Sequence, residues 1–364
     1  MANTTLRSIE LEGFRSIRKQ PEIRLNSGLN VLIGGNGSGK SNFISFFQML
    51  GSMMDPNLGL QRFIAESGGA DAMLFRGVEE TQEFSIKLGF AKNTYEMALR
   101  VSDDGRMFFA KEDATFDGML GLSRYGNASG HFESWVPRAG TFPAGEKFTK
   151  DALSGWRVYH FHNTSRTAAL MRPQNAVDNE RLWPDAGNIA PFLLRLREEQ
   201  NPYYKRIISH IQQAAPFFGD FELKPDAQGK VQLLWTERYS PKLYYPHQLS
   251  DGTLRFICLA ALLLQPEPPS CIIIDEPELG LHPFAITILA GMFRLAEEGC
   301  QLIVSTQSSP LVDHLQVDDL IVVDRVDGGT VLTKPKEEAL REWLGEYSLG
   351  ELWDKNLLGG MPQP

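Results

Sequence analysis

The stretch LNVLIGGNGSGKS at Leu29–Ser41 decides the fold of this chain. Its first five residues form a compact apolar run that is typical of a buried strand. The residues from Ser41 onward, SNFISFFQML, place apolar side chains at helical spacing. Between these segments, Gly34, Gly39, Lys40 and Ser41 occupy every fixed position of the pattern G-x-x-x-x-G-K-[ST]. A strand, a glycine-rich loop and a helix in this order predict a phosphate-binding loop.

This loop predicts ATP and Mg²⁺ as ligands. Its glycines let successive backbone N–H groups point at phosphate oxygens, and the following helix adds the positive end of its dipole. Lys40 would contact the β- and γ-phosphates, and the Ser41 hydroxyl would bind Mg²⁺. The alternative, an accidental glycine turn, is disfavoured by the flanking strand and helix. The predicted nucleotide-binding residues are Gly34, Gly35, Asn36, Gly37, Ser38, Gly39, Lys40, Ser41 and Asn42.

A second apolar strand ends in two acids, in the sequence CIIIDE at Cys271–Glu276. In a parallel sheet, the carboxyl end of such a strand faces the ligand crevice. We therefore expect Asp275 to support Mg²⁺ and Glu276 to polarise the attacking water. The alternative is a strand that simply ends in solvated acids. The long separation of Asp275 from Lys40 implies a large insertion between the two halves of the core.

The segment LSDGT at Leu249–Thr253 precedes an apolar helix and resembles the LSxG signature of ATP-binding-cassette (ABC) ATPases. This resemblance implies that Ser250 and Gly252, at the start of the helix, bind the γ-phosphate of an ATP held by a second copy. The physical basis is the attraction of an anion to a helix N-terminus. An ordinary helix cap at Ser250 is the alternative, and both can hold together.

Two further segments, LEGFRSI and DEPELGLHP, are similar to the RecF, OLD nuclease and SMC group of ABC-like AAA ATPases. The resemblance is to stand-alone members without a fused nuclease or a long coiled coil, and it implies that Arg15 lies near the nucleotide. It also implies that Gln307 occupies the place where the family often has a γ-phosphate-sensing histidine. The predicted catalytic residues are Glu276, Lys40 and Gln307. His282 stands where transporters and SMC proteins usually have aspartate.

The predicted fold class is α/β, with an ABC-ATPase-like P-loop NTPase core, an antiparallel β subdomain and a mixed or helical inserted lobe. We expect residues 1–111 to form the N-terminal half of the core with its antiparallel subdomain, 112–245 the inserted lobe, and 246–364 the C-terminal half. Within the lobe, residues 112–155 are rich in Gly, Ser, Ala and Pro, which predicts a long loop. Helical periodicity is expected over 187–214.

Composition bounds the remaining possibilities. The chain has 364 residues, 42% of them hydrophobic, which suits a packed core. Its three cysteines are too few for a disulfide framework, and its longest apolar stretch is too short to span a bilayer. We therefore expect a cytoplasmic protein with no membrane partner. A net charge of -9 disfavours nucleic-acid binding over the whole surface, although a local basic groove remains open.

Several residues carry open alternatives. His160 and His162 share a strand face and are either structural or, less favoured, a metal pair or contacts to the nucleotide. Asn163 is a candidate to take the place of the glutamine that contacts Mg²⁺ in cassette ATPases. The tyrosine pairs Tyr203-Tyr204 and Tyr244-Tyr245 are either core or interface residues or platforms on which bases stack. Three arginines are either solvated or line a basic groove; these are Arg166, Arg172 and Arg181.

These patterns predict a protein that dimerises around ATP, hydrolyses it and so drives a conformational cycle. The resemblance implies DNA-linked work, such as repair or antiphage defence, with DNA and a separately encoded nuclease or effector as candidate partners. The alternative is a regulatory ATPase that controls a partner protein without contacting nucleic acid. A transporter ATPase is disfavoured because LSDGTLR lacks the transporter-like continuation of the signature.

Overall fold

The computed structural model describes residues 4–54, 59–118, 121–126, 129–138 and 144–360. Within these ranges the strands are β1 (Ser8–Phe14), β2 (Ile17–Arg24), β3 (Leu29–Ile33), β4 (Glu83–Gly89), β5 (Asn93–Val101), β6 (Met107–Gly118), β7 (Gly121–Gly126), β8 (Trp156–Tyr159), β9 (Gln174–Asn175), β10 (Phe218–Glu222), β11 (Lys230–Val231), β12 (Leu234–Glu237), β13 (Ser240–Tyr244), β14 (Cys271–Asp275), β15 (Gln301–Thr306), β16 (Leu320–Val326) and β17 (Gly329–Thr333). The α-helices are α1 (Lys40–Met53), α2 (Gly59–Glu66), α3 (Gly69–Met73), α4 (Ala144–Ser154), α5 (Ile189–Glu199), α6 (Asn201–Ala214), α7 (Asp251–Leu263), α8 (Pro283–Ala296), α9 (Ser309–Val312), α10 (Glu337–Leu344) and α11 (Leu349–Asp354).

A six-stranded sheet with the order β17-β16-β3-β15-β14-β8 forms the centre of the molecule. All of its strand pairs are parallel except β16 with β17. Its central strands are continuous runs of Leu, Ile and Val, the composition expected when both faces of a sheet are covered. In register, Asp275 lies opposite Ser305, and Thr306 lies opposite Ile33. The carboxyl ends of β14, β15 and β3 are therefore level with one another.

Alternate residues of this sheet enter two different cores. Leu32, Ile273 and Ile303 pack with helix α1 and with the antiparallel sheet. Their neighbours along each strand face the opposite way, into a core formed with α5, α6, α7 and α8. This two-residue alternation is the ordinary geometry of a strand. Helices thus cover one face and a helix plus a second sheet cover the other, which confirms the predicted ABC-ATPase-like α/β class.

The second large sheet is antiparallel, in the order β2-β1-β4-β5-β6-β7. Its β4–β5 and β5–β6 connections contain the turns predicted from Lys92-Asn93 and from Asp103-Asp104-Gly105. The long loop predicted for 112–155 is wrong over part of its length, since β6 continues to Gly118 and β7 and α4 follow. Residues 119–120, 127–128 and 139–143 of that loop lie outside the described ranges.

The reason for this difference is visible in the pairing of β6. Its second half, KEDATFDG, has no clean alternation of apolar and polar residues, so its sequence does not predict a strand. It nevertheless pairs with β5 up to the register Asn93 with Phe116, and its Glu112 accepts a hydrogen bond from Tyr95 on β5, a contact that the pattern of apolar residues does not predict. The boundary predicted between 111 and 112 falls inside this strand, and the three-part division of the chain remains a prediction.

The segment predicted to be an inserted lobe contains α5 and α6, which cover the residues expected to be helical, and a three-stranded sheet in the order β10-β12-β13. The chain passes from β13 through a short 3₁₀ turn, Pro246–Gln248, directly into the signature segment and α7. Among the helices in the described ranges, none has the length and apolar character needed to cross a membrane.

A buried carboxylate organises the antiparallel sheet. Glu112 on β6 is 1% exposed and accepts hydrogen bonds from Tyr95 Oη at 2.6 Å and Ser134 Oγ at 2.5 Å. Its other oxygen accepts from His131 Nε2 at 2.7 Å and from the backbone N–H of Trp135 at 3.2 Å. Burial and the adjacent Glu112 carboxylate raise the pKa of Tyr95 well above its usual value. One side chain therefore ties β5, β6 and the segment after β7 together.

Replacing Glu112 with alanine should destabilise the protein. The change leaves buried donors on Tyr95 and Ser134 without their acceptor, which we expect to lower the free energy of unfolding by about 2–4 kcal/mol. Urea unfolding followed by circular dichroism measures this difference. Glu96→Ala is the matched control, because Glu96 only pairs with Lys111 and Lys87 at the surface and should change stability by less than about 1 kcal/mol. Equal losses in the two variants would contradict the assignment of Glu112 as a structural centre.

Candidate functional site

The glycine-rich loop joins β3 to α1 and folds around the side chain of Lys40. Lys40 is the first residue of α1, and its Nζ donates to the carbonyl oxygens of Gly34 at 2.6 Å and Gly35 at 3.0 Å. The residue is only 5% exposed. Burial lowers the pKa of the Lys40 ammonium, while the carboxylates of Glu276, Asp275 and Glu278 act in the opposite direction. The lysine therefore lies at the floor of the loop, within the field of the acids that follow β14.

Two glycines of the loop are required by close packing against β16 and β17. A Cβ on Gly39 would lie 2.0 Å from Thr330 Oγ1, and one on Gly34 would lie 2.4 Å from the carbonyl oxygen of Val323. Gly39 also has a φ of 110°, which a side chain would strain. Thr330 Oγ1 donates to the Ser38 carbonyl at 2.7 Å and so fixes the loop. Ser38 Oγ is buried without a hydrogen-bond partner among the described residues, so a phosphate oxygen would satisfy it.

The acids after β14 meet the residues that follow β15. Asp275 Oδ1 accepts a hydrogen bond from Ser305 Oγ, and Glu276 N–H donates to the Ser305 carbonyl at 3.0 Å. Glu276 Oε1 accepts a hydrogen bond from Gln307 Nε2. Glu276 has a φ of 44°, a left-handed conformation that costs a non-glycine residue about 1–2 kcal/mol. The structure thus brings together Glu276 and Gln307, two of the three predicted catalytic residues.

A third carboxylate, Glu278, was missed in the sequence. Its Oε1 accepts hydrogen bonds from Thr306 Oγ1 at 2.5 Å and from the Gln307 N–H at 3.1 Å. Burial raises the pKa of Glu278, with the Thr306 hydrogen bond opposing that effect. Its Oε2 is buried and has no hydrogen-bond partner among the described residues. The only signal in the sequence is an acid two residues after Glu276, and an acid in a turn is ordinarily solvated.

The signature segment starts helix α7, as predicted. Ser250 is the N-cap residue, and its Oγ accepts from Thr253 N–H at 3.2 Å, so the capping role is real. Ser250 is exposed. A Cβ on Gly252 would lie 2.2 Å from the Gly280 carbonyl oxygen, so α7 begins in direct contact with the turn after β14. Arg255 strengthens this contact by donating to the Leu279 carbonyl at 2.8 Å. The role of Ser250 and Gly252 toward a second copy remains a prediction.

Arg15 lies in the loop between β1 and β2, beside the start of α1. Its N–H donates to the Met73 carbonyl at 2.9 Å, and burial lowers the pKa of its guanidinium. Its Nε is buried without a hydrogen-bond partner among the described residues. It lines a cavity of about 450 Å³ together with Asn42, Arg76 and Arg325. Three guanidinium groups therefore lie around a space that adjoins the first turn of the phosphate-loop helix.

His160 and His162 do not share a strand face as predicted, because β8 ends at Tyr159 and both residues follow it; they make separate contacts. His160 Nε2 lies 2.5 Å from Gln48 Nε2, and burial lowers the pKa of His160. His162 Nε2 lies 3.0 Å from the Asp275 carbonyl oxygen. Asn163 is exposed, and its Oδ1 accepts from Ser165 N–H and Oγ. These contacts fit the structural interpretation of His160, and His162 borders the acidic strand.

The tyrosine pairs divide between core and surface. Tyr204 is buried and donates to Asp220 Oδ1 at 2.6 Å, and Tyr244 stacks on Trp235 with ring centroids 4.7 Å apart. Tyr245 is 50% exposed, so the core interpretation fails for it. The three arginines considered for a basic groove are exposed; they are Arg166, Arg172 and Arg181.

The residues at the level carboxyl ends of β3, β15 and β14 suit a nucleotide with Mg²⁺. Neighbouring strands are about 4.8 Å apart, so Asp275 stands about two strand spacings from the end of β3. The Ser41 hydroxyl and Asp275 carboxylate are oxygen ligands of the kind that Mg²⁺ prefers. Asp275 uses one oxygen for Ser305, which leaves the other for a metal. Lys40 and the unpartnered Ser38 hydroxyl supply donors for phosphate.

Comparisons with known proteins agree with this geometry. The family described as "AAA domain, putative AbiEii toxin, Type IV TA system" matches residues 152–313, and one described as "AAA domain" matches residues 8–119. The chain is 23% identical to the Old nuclease of Escherichia phage P2, covering 93% of this chain and 62% of that protein. It is 21% identical to the DNA replication and repair protein RecF of Glaesserella parasuis serovar 5 (strain SH0165), covering 59% of this chain and 58% of that protein. The chain thus spans about 60% of the length of these relatives.

Solved structures show the same fold. The Smc head bound to the C-winged helix domain of ScpA superposes with a TM-score of 0.60 at 15% identity, covering 92% of this chain and 99% of that one. The Smc head domain with an extended coiled coil, bound to the C-terminal domain of ScpA derived from Pyrococcus furiosus, gives 0.57 at 14% identity, with 94% and 98% covered. The domain matches and the two distant relatives make the chain similar to the ABC-like ATPases of the RecF/OLD/SMC group, and the solved structures share its fold.

Proposed function

We propose that the protein binds and hydrolyses ATP and converts this reaction into a conformational cycle between two copies of the chain. The observation that carries the proposal is the contact of Glu276 with Gln307 beside the loop that holds Lys40. An acid that can polarise water, a neutral amide that can contact phosphate and a buried cation meet at one crevice. Membership of the P-loop NTPase group supports the same chemistry.

Each residue has a defined part in the proposed hydrolysis. Lys40 exchanges its hydrogen bonds to the loop carbonyls for oxygens of the β- and γ-phosphates. Ser41 and Asp275 would hold Mg²⁺, which would neutralise charge on the phosphates when bound. Glu276 accepts a hydrogen bond from the attacking water and orients it in line with the bond that breaks. Gln307, released from Glu276, donates to the γ-phosphate.

The proposed assembly is a head-to-tail dimer with ATP between the copies. Ser250 supports it because the residue is exposed at the N-terminus of the 13-residue helix α7, where a helix attracts anions. Each copy would close the nucleotide site of the other. Release of ADP and phosphate would remove the anion that joins the copies, and the dimer would open.

We propose further that the cycle serves DNA-linked work in the cytoplasm, such as repair or antiphage defence, with a separately encoded effector. The support is the naming of two relatives, an Old nuclease and a DNA replication and repair protein. The test measures ATPase rate with and without duplex DNA over a range of salt concentrations. Stimulation that weakens as salt rises supports the DNA role, because phosphate contacts depend on salt. No stimulation and no salt-sensitive binding favour a switch that acts on a partner protein.

Lys40→Ala should lose most of its affinity for ATP. Charge-assisted hydrogen bonds of about 1.5–3 kcal/mol are removed, so the Kd should rise roughly 10- to 100-fold. Equilibrium binding of a fluorescent ATP analogue with Mg²⁺ measures the change. Lys87→Ala, on the exposed face of the antiparallel sheet, is the control and should bind as the native chain does. Unaltered binding by the Lys40 variant would rule out this loop as the phosphate site.

Glu276→Gln should bind ATP but hydrolyse it about 10²- to 10⁴-fold more slowly, because the amide is a poor base for the attacking water. With hydrolysis blocked, the ATP-bound dimer should accumulate. Phosphate release and size-exclusion chromatography with and without ATP measure the two effects. Removal of Mg²⁺ with EDTA should abolish turnover of the native chain. A Glu276→Gln protein with native turnover would exclude this carboxylate from the reaction.

Ser250→Arg should bind ATP as a monomer and fail to hydrolyse it. The long, charged arginine side chain blocks the approach of a second copy, while the ATP-binding loop of the same copy is unchanged. Loss of the cap costs about 1 kcal/mol, which the fold should tolerate. Ser250→Asn keeps a capping side chain and serves as the stability control. Sedimentation with ATP decides the matter: full turnover or an intact dimer in the arginine variant would contradict the proposed arrangement.

A further inference from the structure

The turn after β14 holds a second carboxylate that reaches the same switch residue as Glu276. Glu278 Oε1 accepts hydrogen bonds from Thr306 Oγ1 at 2.5 Å and from Gln307 N–H at 3.1 Å, while Gln307 Nε2 donates to Glu276 Oε1. We propose that Glu278 is a positioning residue, which fixes Gln307 so that its amide meets the Glu276 carboxylate. The inference rests on the proposed ATPase function and deepens it.

The contacts form a closed ring. Glu276 and Glu278 belong to one tight turn, in which the Leu279 N–H donates to the Glu276 carbonyl at 3.2 Å and the Leu281 N–H to the Glu278 carbonyl at 2.9 Å. Gln307 is attached to this turn twice, by its backbone to Glu278 and by its side chain to Glu276. The backbone attachment sets the direction in which the chain leaves β15, and therefore where the amide of Gln307 can reach.

The burial of Glu278 in this turn lowers the stability of the fold. Its Oε2 is buried with no hydrogen-bond partner among the described residues, and a buried carboxylate oxygen left unpaired lowers stability. Thr306 is fully buried, and its hydroxyl donates to Glu278 Oε1. Because the hydrogen bonds of the Glu278 side chain to other described residues are made by Oε1, its structural benefit is concentrated on Thr306 and Gln307. Bonding through one oxygen therefore supports a role of Glu278 in positioning the residues at the end of β15 and after it.

The ring also connects to the helix that carries Ser250. Arg255 of α7 donates to the Leu279 carbonyl at 2.8 Å, and Gly252 packs against the Gly280 carbonyl. The turn that contains Glu278 is thus held between α7 and the end of β15. A displacement of α7 by a ligand at Ser250 would be transmitted through this turn to Gln307.

The experiment separates turnover from binding in two variants of the full chain. Glu278→Ala removes the acceptor and should lower kcat on the order of 10- to 100-fold, the usual cost of a misplaced catalytic group. The Kd for a non-hydrolysable ATP analogue should stay within about threefold, because the phosphate loop is untouched. Glu278→Gln keeps an accepting oxygen toward Thr306 and Gln307 and should recover most of the native kcat.

Two controls test whether Glu278 acts through Gln307. Glu297 also accepts a backbone hydrogen bond, from Leu29 N–H at 3.0 Å, but at the opposite end of β3, so Glu297→Ala should leave kcat unchanged. The double variant Glu278→Ala/Gln307→Ala should have the same kcat as Gln307→Ala alone, because residues that act in series are not additive. Native kcat in Glu278→Ala, or additive losses in the double variant, would overturn the inference.

Amide hydrogen exchange of residues 305–308 distinguishes this inference from the proposed function. Exchange there should accelerate in Glu278→Ala but not in Glu278→Gln or Glu297→Ala, whether or not ATP is hydrolysed. If the native chain lacks ATPase activity, the proposed function fails while accelerated exchange still supports the positioning of Gln307 by Glu278. Unchanged exchange in Glu278→Ala contradicts the positioning role even in an active enzyme.

Discussion

The backbone hydrogen bonds that pair β15 with β3 on one side and with β14 on the other are the constraint on which the site depends. They place Thr306 opposite Ile33 and Ser305 opposite Asp275. Each functional segment begins where one of these strands ends: the phosphate loop after β3, Gln307 after β15 and the acids after β14. A register shift of one residue in β15 would exchange the residues that face its two cores and would separate Gln307 from Glu276. The chemistry is therefore set by main-chain pairing that lies in the interior of the protein.

The candidate site contains buried polar groups and a strained backbone that do not contribute to the stability of the fold. Lys40 is nearly buried, Ser38 Oγ and Glu278 Oε2 have no hydrogen-bond partners among the described residues, and Glu276 has a left-handed backbone. Such features are costly in a packed interior and concentrate at functional sites. The two large cores, one on each face of the central sheet, supply the stability that offsets this cost. The signs of the charges are complementary, since the carboxylates of Glu276, Asp275 and Glu278 favour the charged form of Lys40.

Much of the fold could be predicted because its central strands are unambiguous. LNVLI, CIIID and QLIVST are short apolar runs, and the phosphate loop and signature mark the helices beside them. The end of β6 could not be predicted, since its buried residues include the carboxylate of Glu112, which breaks the apolar alternation of a strand. Within the candidate site, residues in fixed motifs can be proposed from the sequence, and the structure places Gln307 in contact with Glu276. Glu278 could not be proposed, because its importance comes from burial and from Thr306 and Gln307, which are distant in sequence. Tyr245, which is half-exposed while its neighbour Tyr244 stacks on Trp235, illustrates the same dependence on tertiary context.

The contact of Gly252 with the Gly280 carbonyl has a consequence for genetics. With 2.2 Å available to a Cβ, even alanine at position 252 would push α7 away from the neighbouring turn. Alleles of this glycine would therefore report a local rearrangement of the chain's own architecture, and their phenotypes would say little about whether nucleotide is shared between molecules. Ser250, two residues earlier and open to solvent, tolerates a new side chain without that distortion. Substitutions of Ser250 are therefore more informative about a second copy than substitutions of Gly252.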